Sequence, residues 1–101
     1  GMLARVTDVF IASAGTQLSA IEEARRAGLP DEIARQCHSL KSAAAHVGAE
    51  DLAQLASSLE QAARSQDCGT IDALCAQLPG RVREVCDALR AESADMRRAA
   101  S

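Results

Sequence analysis

The sequence predicts an all-α protein, an antiparallel up-and-down bundle of four helices. Apolar residues recur at helical spacing along almost the whole chain, and no segment shows the two-residue alternation of a strand. Residues are 48% hydrophobic but only 1% aromatic, and Ala, Arg, Glu, Gln and Leu, which favour helices, are abundant. Four amphipathic segments with short connections are typical of such a bundle. With 101 residues, the chain forms one small domain.

Glycine and proline separate the first two predicted helices. The first helix runs from about 3 to 27 and stops at Gly28, and Gly15 is a candidate break that divides it into two pieces. Pro30, followed at once by two acidic residues, predicts the start of the second helix, which ends at Gly48. The expected core stripe of the first helix is Val6, Val9, Phe10, Leu18, Ile21 and Ala24. That of the second is Ile33, Cys37, Leu40, Ala44 and Val47.

The third and fourth helices follow in the same way. Glu50 opens the third, which ends near "SQDCG", so that a turn is expected around Gly69. The apolar spacing of the fourth continues past Pro79, which predicts a kink rather than a break. Their stripes are Leu52, Leu55, Ala56, Leu59, Ala62 and Ala63, and then Ile71, Leu74, Cys75, Leu78, Val82, Val85, Cys86 and Leu89. We expect the bundle to span residues 2–91 and residues 92–101 to form a polar, frayed tail.

Charge and composition argue against several classes of function. A formal net charge of −3 and a pI of about 5.3 provide no basic field, so neither nucleic acid nor a membrane is an expected partner. No apolar run approaches the roughly 20 residues that span a bilayer, and a cytoplasmic location is expected. The four cysteines are not spaced as CxxC, so we interpret them as buried small hydrophobic residues and predict no metal site: Cys37, Cys68, Cys75 and Cys86.

The stretch "QCHSLKSAAAHVGAEDL" contains both histidines and the only lysine of the chain. If Leu40 faces the core, four residues share one outer stripe of the second helix: His38, Lys41, Ser42 and Ala45. An exposed imidazole is substantially neutral at physiological pH and can act as a nucleophile. Lys41 is a cation one turn further along, and the two small side chains leave the approach open. The stripe therefore presents a histidine to a bulky, negatively charged group.

This stretch resembles the histidine-containing phosphotransfer (HPt) domains of bacterial phosphorelays. Their motif is a histidine, any residue, Leu, Lys and Gly, with a second glycine further on; it stands here as His38, Ser39, Leu40, Lys41, Ser42 and Gly48. The likeness extends from about residue 9 to 89. It implies that His38 accepts the phosphoryl group, that Lys41 is the cation on the phosphate side, and that Gly48 is the turn residue between the central helices. Ser42 departs from the usual glycine but is still small.

The resemblance also implies a carrier that is not itself a kinase. It would accept phosphate from a receiver-domain aspartate and pass it to the aspartate of another receiver, in a response regulator or a hybrid histidine kinase. No cofactor is expected in this chain: magnesium would come from the partner, and no carboxylate is expected beside the histidine to hold it. A monomer is expected. The docking surface would be drawn from the second and first helices and would include Ala34, Arg35, Gln36, Ser42 and Ala45.

Two other classes of function compete with the carrier. A non-catalytic bundle could bind a receiver or a kinase without carrying phosphate, and its binding would be indifferent to the change His38→Gln. A metal or cofactor bundle of the carboxylate di-iron type would need ExxH spacing, which the sequence does not contain. The residues alone do not separate a standalone relay protein from a piece of a larger kinase.

Overall fold

The fold is a bundle of four helices: α1 (Met2–Ala27), α2 (Pro30–His46), α3 (Glu50–Arg64) and α4 (Cys68–Ala100). The computed structural model describes the backbone of residues 2–100 and the side chains of 7–95, 98 and 99, and this part of the chain contains no strand. Consecutive helices pack side by side, and α1 also packs against α4, which closes the bundle. The prediction of an all-α four-helix bundle is confirmed.

The predicted apolar stripes form one core, apart from the beginning of α1. Val9 was expected to face inward but is 62% exposed, and Val6 lies outside the described side chains. The inner stripe of α1 contains Thr7 and Ala14 instead, which lie three before and four after the buried Phe10. The largest fully buried side chains come from all four helices: Ile21, Leu40, Leu52, Leu59, Leu78 and Cys37.

Both long helices are continuous. Helix α1 passes through Gly15, the candidate break, and α4 passes through Pro79 without a break, as predicted. Helix α4 also continues to Ala100, so the segment predicted to be a frayed tail is helical, and Ser93 within it is buried. The division of the chain at residue 91 stays a prediction. With 26 and 33 residues, α1 and α4 are much longer than α2 and α3, and the molecule measures 51 × 18 × 18 Å.

The three connections between the helices share one backbone geometry. A residue with positive φ lies one or two positions after the end of each of the first three helices, and the next amide donates to a carbonyl five residues back, as in a Schellman cap. The positive-φ residues are Gly28, Gly48 and Gln66. The turn expected around Gly69 therefore lies earlier, and Gly69 belongs to the first turn of α4. Asp67 precedes that turn and accepts hydrogen bonds from the amide and hydroxyl of Thr70.

The cysteines divide into three buried thiols and one exposed thiol. Cys37, Cys75 and Cys86 are buried as predicted, but Cys68 is exposed at the start of α4. Burial raises the pKa of the Cys37 thiol to about 12.

Among the described residues, no helix contains a stretch long and apolar enough to cross a membrane.

Candidate functional site

The outer face of α2 carries the histidine that the sequence singled out. Cys37 and Leu40 are fully buried, which turns His38 and Lys41 away from the core. The His38 side chain is 62% exposed and that of Lys41 is 40% exposed. The imidazole is thus accessible to a macromolecular partner, while its backbone is fixed by a helix anchored in the core.

A carboxylate from α3 lies directly behind this face. Glu60 is buried, and its Oε2 atom lies 3.4 Å from Nδ1 of His38. Its other oxygen, Oε1, lies 3.9 Å from Nζ of Lys41. The sequence predicted no carboxylate beside the histidine that would hold magnesium; a carboxylate does lie there, and its partners are cationic side chains. One carboxylate bridges the two residues of α2 to which the sequence assigned the chemistry.

Arg64, one turn after Glu60 on the same helix, completes the cluster. Its Nη2 and Nε atoms donate to Oε2 of Glu60 at 2.8 and 3.3 Å. The hydrogen bond from Arg64 is the main reason that the pKa of Glu60 lies below its usual value, and the charges of Arg64, His38 and Lys41 lower it further. Glu60 is therefore ionised at neutral pH despite its burial.

The carboxylate distinguishes the two nitrogens of the imidazole. Because Nδ1 faces an ionised oxygen, the favoured neutral form carries its proton on Nδ1 and leaves the lone pair on Nε2. Nε2 lies on the opposite side of the ring, and it has no hydrogen bond to any described residue. The site thus combines an exposed imidazole with a fixed carboxylate charge beside Nδ1.

A cleft of about 300 Å³ opens beside the ring, between α2 and the end of α3. It is lined by Asp31, Ala34, Arg35, His38, Ser39 and Arg64. The expected docking surface was drawn from the second and first helices, but the side chain that faces α2 across this cleft comes from α3. Among the expected contact residues, Ala34 lines the cleft although it is only 3% exposed.

The other residues of the expected docking surface take different positions. Arg35 also lines the cleft, and it donates to Glu32 at 2.7 Å. Gln36 donates to the same carboxylate at 3.0 Å and does not line the cleft. Ser42 and Ala45 are exposed further along α2.

The turn after α2 lies beyond this face. Gly48 has a φ of +78°, a left-handed conformation that favours glycine, and it follows Val47, the C-cap residue of α2. It does not touch the histidine cluster. Its contribution is to reverse the chain so that α3 packs against α2, which brings Glu60 to His38.

Sequence reasoning missed Glu60 and Arg64, although a signal was present for the first. Glu60 lies four residues after Ala56 and three before Ala63, both fully buried, so it belongs beside the inner stripe of α3. A carboxylate in such a position needs a cation. Arg64 at i+4 is one candidate, but that spacing is common on exposed helix faces and gave no reason to connect α3 with His38.

The cluster is not arranged as a metal site. Within the described part of the chain, no group of three His, Cys, Asp or Glu side chains comes together. Glu60 contacts two cationic side chains, which would repel a further cation. The arrangement supports nucleophilic chemistry at a histidine and the binding of an anion next to it.

The structure thus defines a four-helix bundle that presents an exposed imidazole with an ionised carboxylate behind it. Comparison with protein families gives a match to the Hpt domain over residues 5–98, nearly the whole chain. The chain belongs to this family, whose members are histidine phosphoryl carriers of two-component systems and not kinases. Comparisons with curated proteins and with solved structures give no match.

Proposed function

We propose that the domain accepts a phosphoryl group on Nε2 of His38 from the aspartyl phosphate of a receiver domain. It then passes this group to the aspartate of another receiver, in a response regulator or a hybrid histidine kinase. The observation that carries the proposal is the position of Nδ1 at 3.4 Å from Glu60 on a side chain that is 62% exposed, because it leaves Nε2 as the nucleophilic nitrogen. Family membership supports the class of reaction.

The transfer step balances without a further reactant. The lone pair of Nε2 attacks phosphorus, the new P–N bond forms, and the P–O bond to the aspartate breaks, so that aspartate leaves as a carboxylate with the electron pair. The imidazole keeps its Nδ1 proton and becomes cationic as the bond forms. Glu60 lies where that positive charge develops and stabilises it.

Lys41 has the role of a cation on the phosphate side. It lies one turn from His38, and its ammonium group is 3.9 Å from Glu60, so it contributes positive charge beside the ring without blocking Nε2. Magnesium is supplied by the receiver in this proposal, because its acidic pocket would hold the ion against the transferring group. We propose that the carrier works as a monomer in the bacterial cytoplasm.

The experiment mixes the domain with a panel of phosphorylated receiver domains and magnesium, and measures the intact mass and acid lability of any adduct. His38→Gln removes the proposed acceptor. His46→Gln is the matched control, because His46 is the other histidine and is also exposed on α2. We expect one acid-labile phosphoryl group on the parent and on His46→Gln, and none on His38→Gln.

Two outcomes would contradict this proposal. Phosphorylation of His38→Gln would place the acceptor elsewhere. If no receiver in a broad panel transfers phosphate while at least one binds the parent and His38→Gln equally well, the domain is a non-catalytic interaction module.

A further inference from the structure

Arg64 contacts the buried carboxylate of the site and also lines its cleft. Its guanidinium is hydrogen bonded to the buried carboxylate of Glu60, yet its side chain is 64% exposed and lines the cleft beside His38. It is the last residue of α3, and among the described residues Glu60 is the hydrogen-bond partner of its guanidinium. Arg64 therefore borders both the carboxylate and the cleft.

Arg64 and His38 approach the same oxygen of Glu60. The Arg64 contact to Oε2 is 2.8 Å, whereas Nδ1 of His38 lies 3.4 Å from that atom, beyond the usual range of an N–H···O hydrogen bond. In the unphosphorylated domain Arg64 is therefore the main partner of Oε2. Nδ1–H of His38 lies close enough to form a hydrogen bond to Oε2 once Arg64 has moved away.

Phosphorylation changes the charges in the direction that favours this exchange. With a neutral imidazole, Lys41, Arg64 and Glu60 together carry one net positive charge. A phosphoryl group on Nε2 adds two negative charges and makes the ring cationic, which strengthens the bond from Nδ1–H to Glu60. A guanidinium pairs well with phosphate because its planar donors match two oxygens. After the exchange, every charge in the cluster still has an opposite partner.

We propose that the guanidinium of Arg64 moves from Glu60 to the phosphoryl group when His38 is phosphorylated, and so stabilises the loaded carrier. This inference rests on the proposed function of His38. Arg64 touches no reacting atom in the free domain. Its effect is to raise the fraction of phosphate that remains on the domain at equilibrium with a receiver.

The test measures the phosphotransfer equilibrium between the domain and one receiver, as the ratio of phosphorylated domain to phosphorylated receiver. This ratio depends only on the free species before and after transfer, so changes in docking affinity cancel from it. We expect Arg64→Gln to lower the ratio roughly fivefold, the size expected for one exposed charge pair, and Arg64→Lys to keep at least half of the parent value. Arg90→Gln is the matched control, because Arg90 is 59% exposed and pairs with Asp87 on its own helix α4, outside the cleft.

A second readout follows the side chain itself. In ¹⁵N-labelled protein, the Nε–H resonance of Arg64 should shift on phosphorylation of the domain, while that of Arg90 should move much less. A ratio for Arg64→Gln within the error of the parent, or an equal loss in Arg90→Gln, would overturn the inference while leaving His38 as the acceptor. If the parent itself takes up no phosphate from any receiver, the proposed function fails and this inference fails with it.

Discussion

Replacement of Glu60 by glutamine should slow phosphorylation of His38 while leaving the fold intact. Glutamine keeps the shape of the side chain and can still accept a hydrogen bond, but it removes the negative charge that faces Nδ1. At 3.4 Å, the attraction between a carboxylate and an imidazolium is about 1 kcal/mol at the dielectric constant of water and about 5 kcal/mol at an effective value of 20. The ring is 62% exposed and Arg64 shares the carboxylate oxygen, so the lower part of this range applies.

We therefore expect a loss of about 1 to 2 kcal/mol in stabilisation of the transition state, which corresponds to a roughly 5- to 30-fold lower rate. The assay follows the time course of phosphate uptake from a small phosphoramidate donor, so that docking of a receiver does not enter. Glu32→Gln is the matched control, since Glu32 also binds an arginine one turn away, at 2.7 Å, but lies outside the histidine cluster. A rate for Glu60→Gln within twofold of the parent, or an equal loss in Glu32→Gln, would refute the electrostatic account.

Three further predictions concern the fold. Gly48 and Gln66 both have positive φ, so Gly48→Gln should lower the free energy of unfolding and Gln66→Gly should raise it, each by about 1 kcal/mol. Urea titrations measure both changes. Changes of the same sign would contradict the shared geometry. Iodoacetamide at pH 8 should modify only Cys68 in the native domain, as peptide mass mapping can show, since Cys37 and the other two thiols are buried; a second adduct would contradict that burial. The pKa of Glu60 is lower in the folded state, so its ionisation contributes stability above about pH 4.5 that disappears as pH falls through the folded pKa. The stability difference between parent and Glu60→Gln, measured by thermal unfolding, should therefore shrink from pH 5 to 3. A difference that stays constant over this range would be inconsistent with the linkage.

The helical architecture could be predicted because it depends on periodicity and on strong local signals. The stripes of α2, α3 and α4 follow directly from apolar spacing, and Gly28 and Gly48 mark two of the three turns. The third turn was misplaced because Gln66 adopts positive φ without being glycine, and the Gly69 that follows was a misleading signal. Gly15 and Pro79 did not interrupt their helices, since packing over many turns outweighs the local cost of one unfavourable residue.

The candidate site could be predicted only in the part that lies on one helix. His38 and Lys41 are one turn apart, so helical geometry alone puts them on a common face. Glu60 and Arg64 join them through the packing of α3 against α2, and the rotation of one helix relative to another is not encoded in the spacing of either. Local patterns therefore did not predict the carboxylate partner of the histidine, although the position of Glu60 beside a buried stripe indicated a buried charge.

The position of Glu60 favours a role in reactivity over a role in stability. It lies between fully buried alanines on a stripe where an apolar side chain would also pack α3 against α2. Burying a carboxylate costs solvation free energy that its ion pairs only partly offset, and replacing buried ion pairs by well-packed apolar residues is often neutral or stabilising. Packing alone thus gives no reason for a charge at this position. In the proposed phosphoryl transfer, the negative charge has a specific use behind an imidazole that becomes cationic, and the two flanking cations keep that charge ionised while no phosphate is bound.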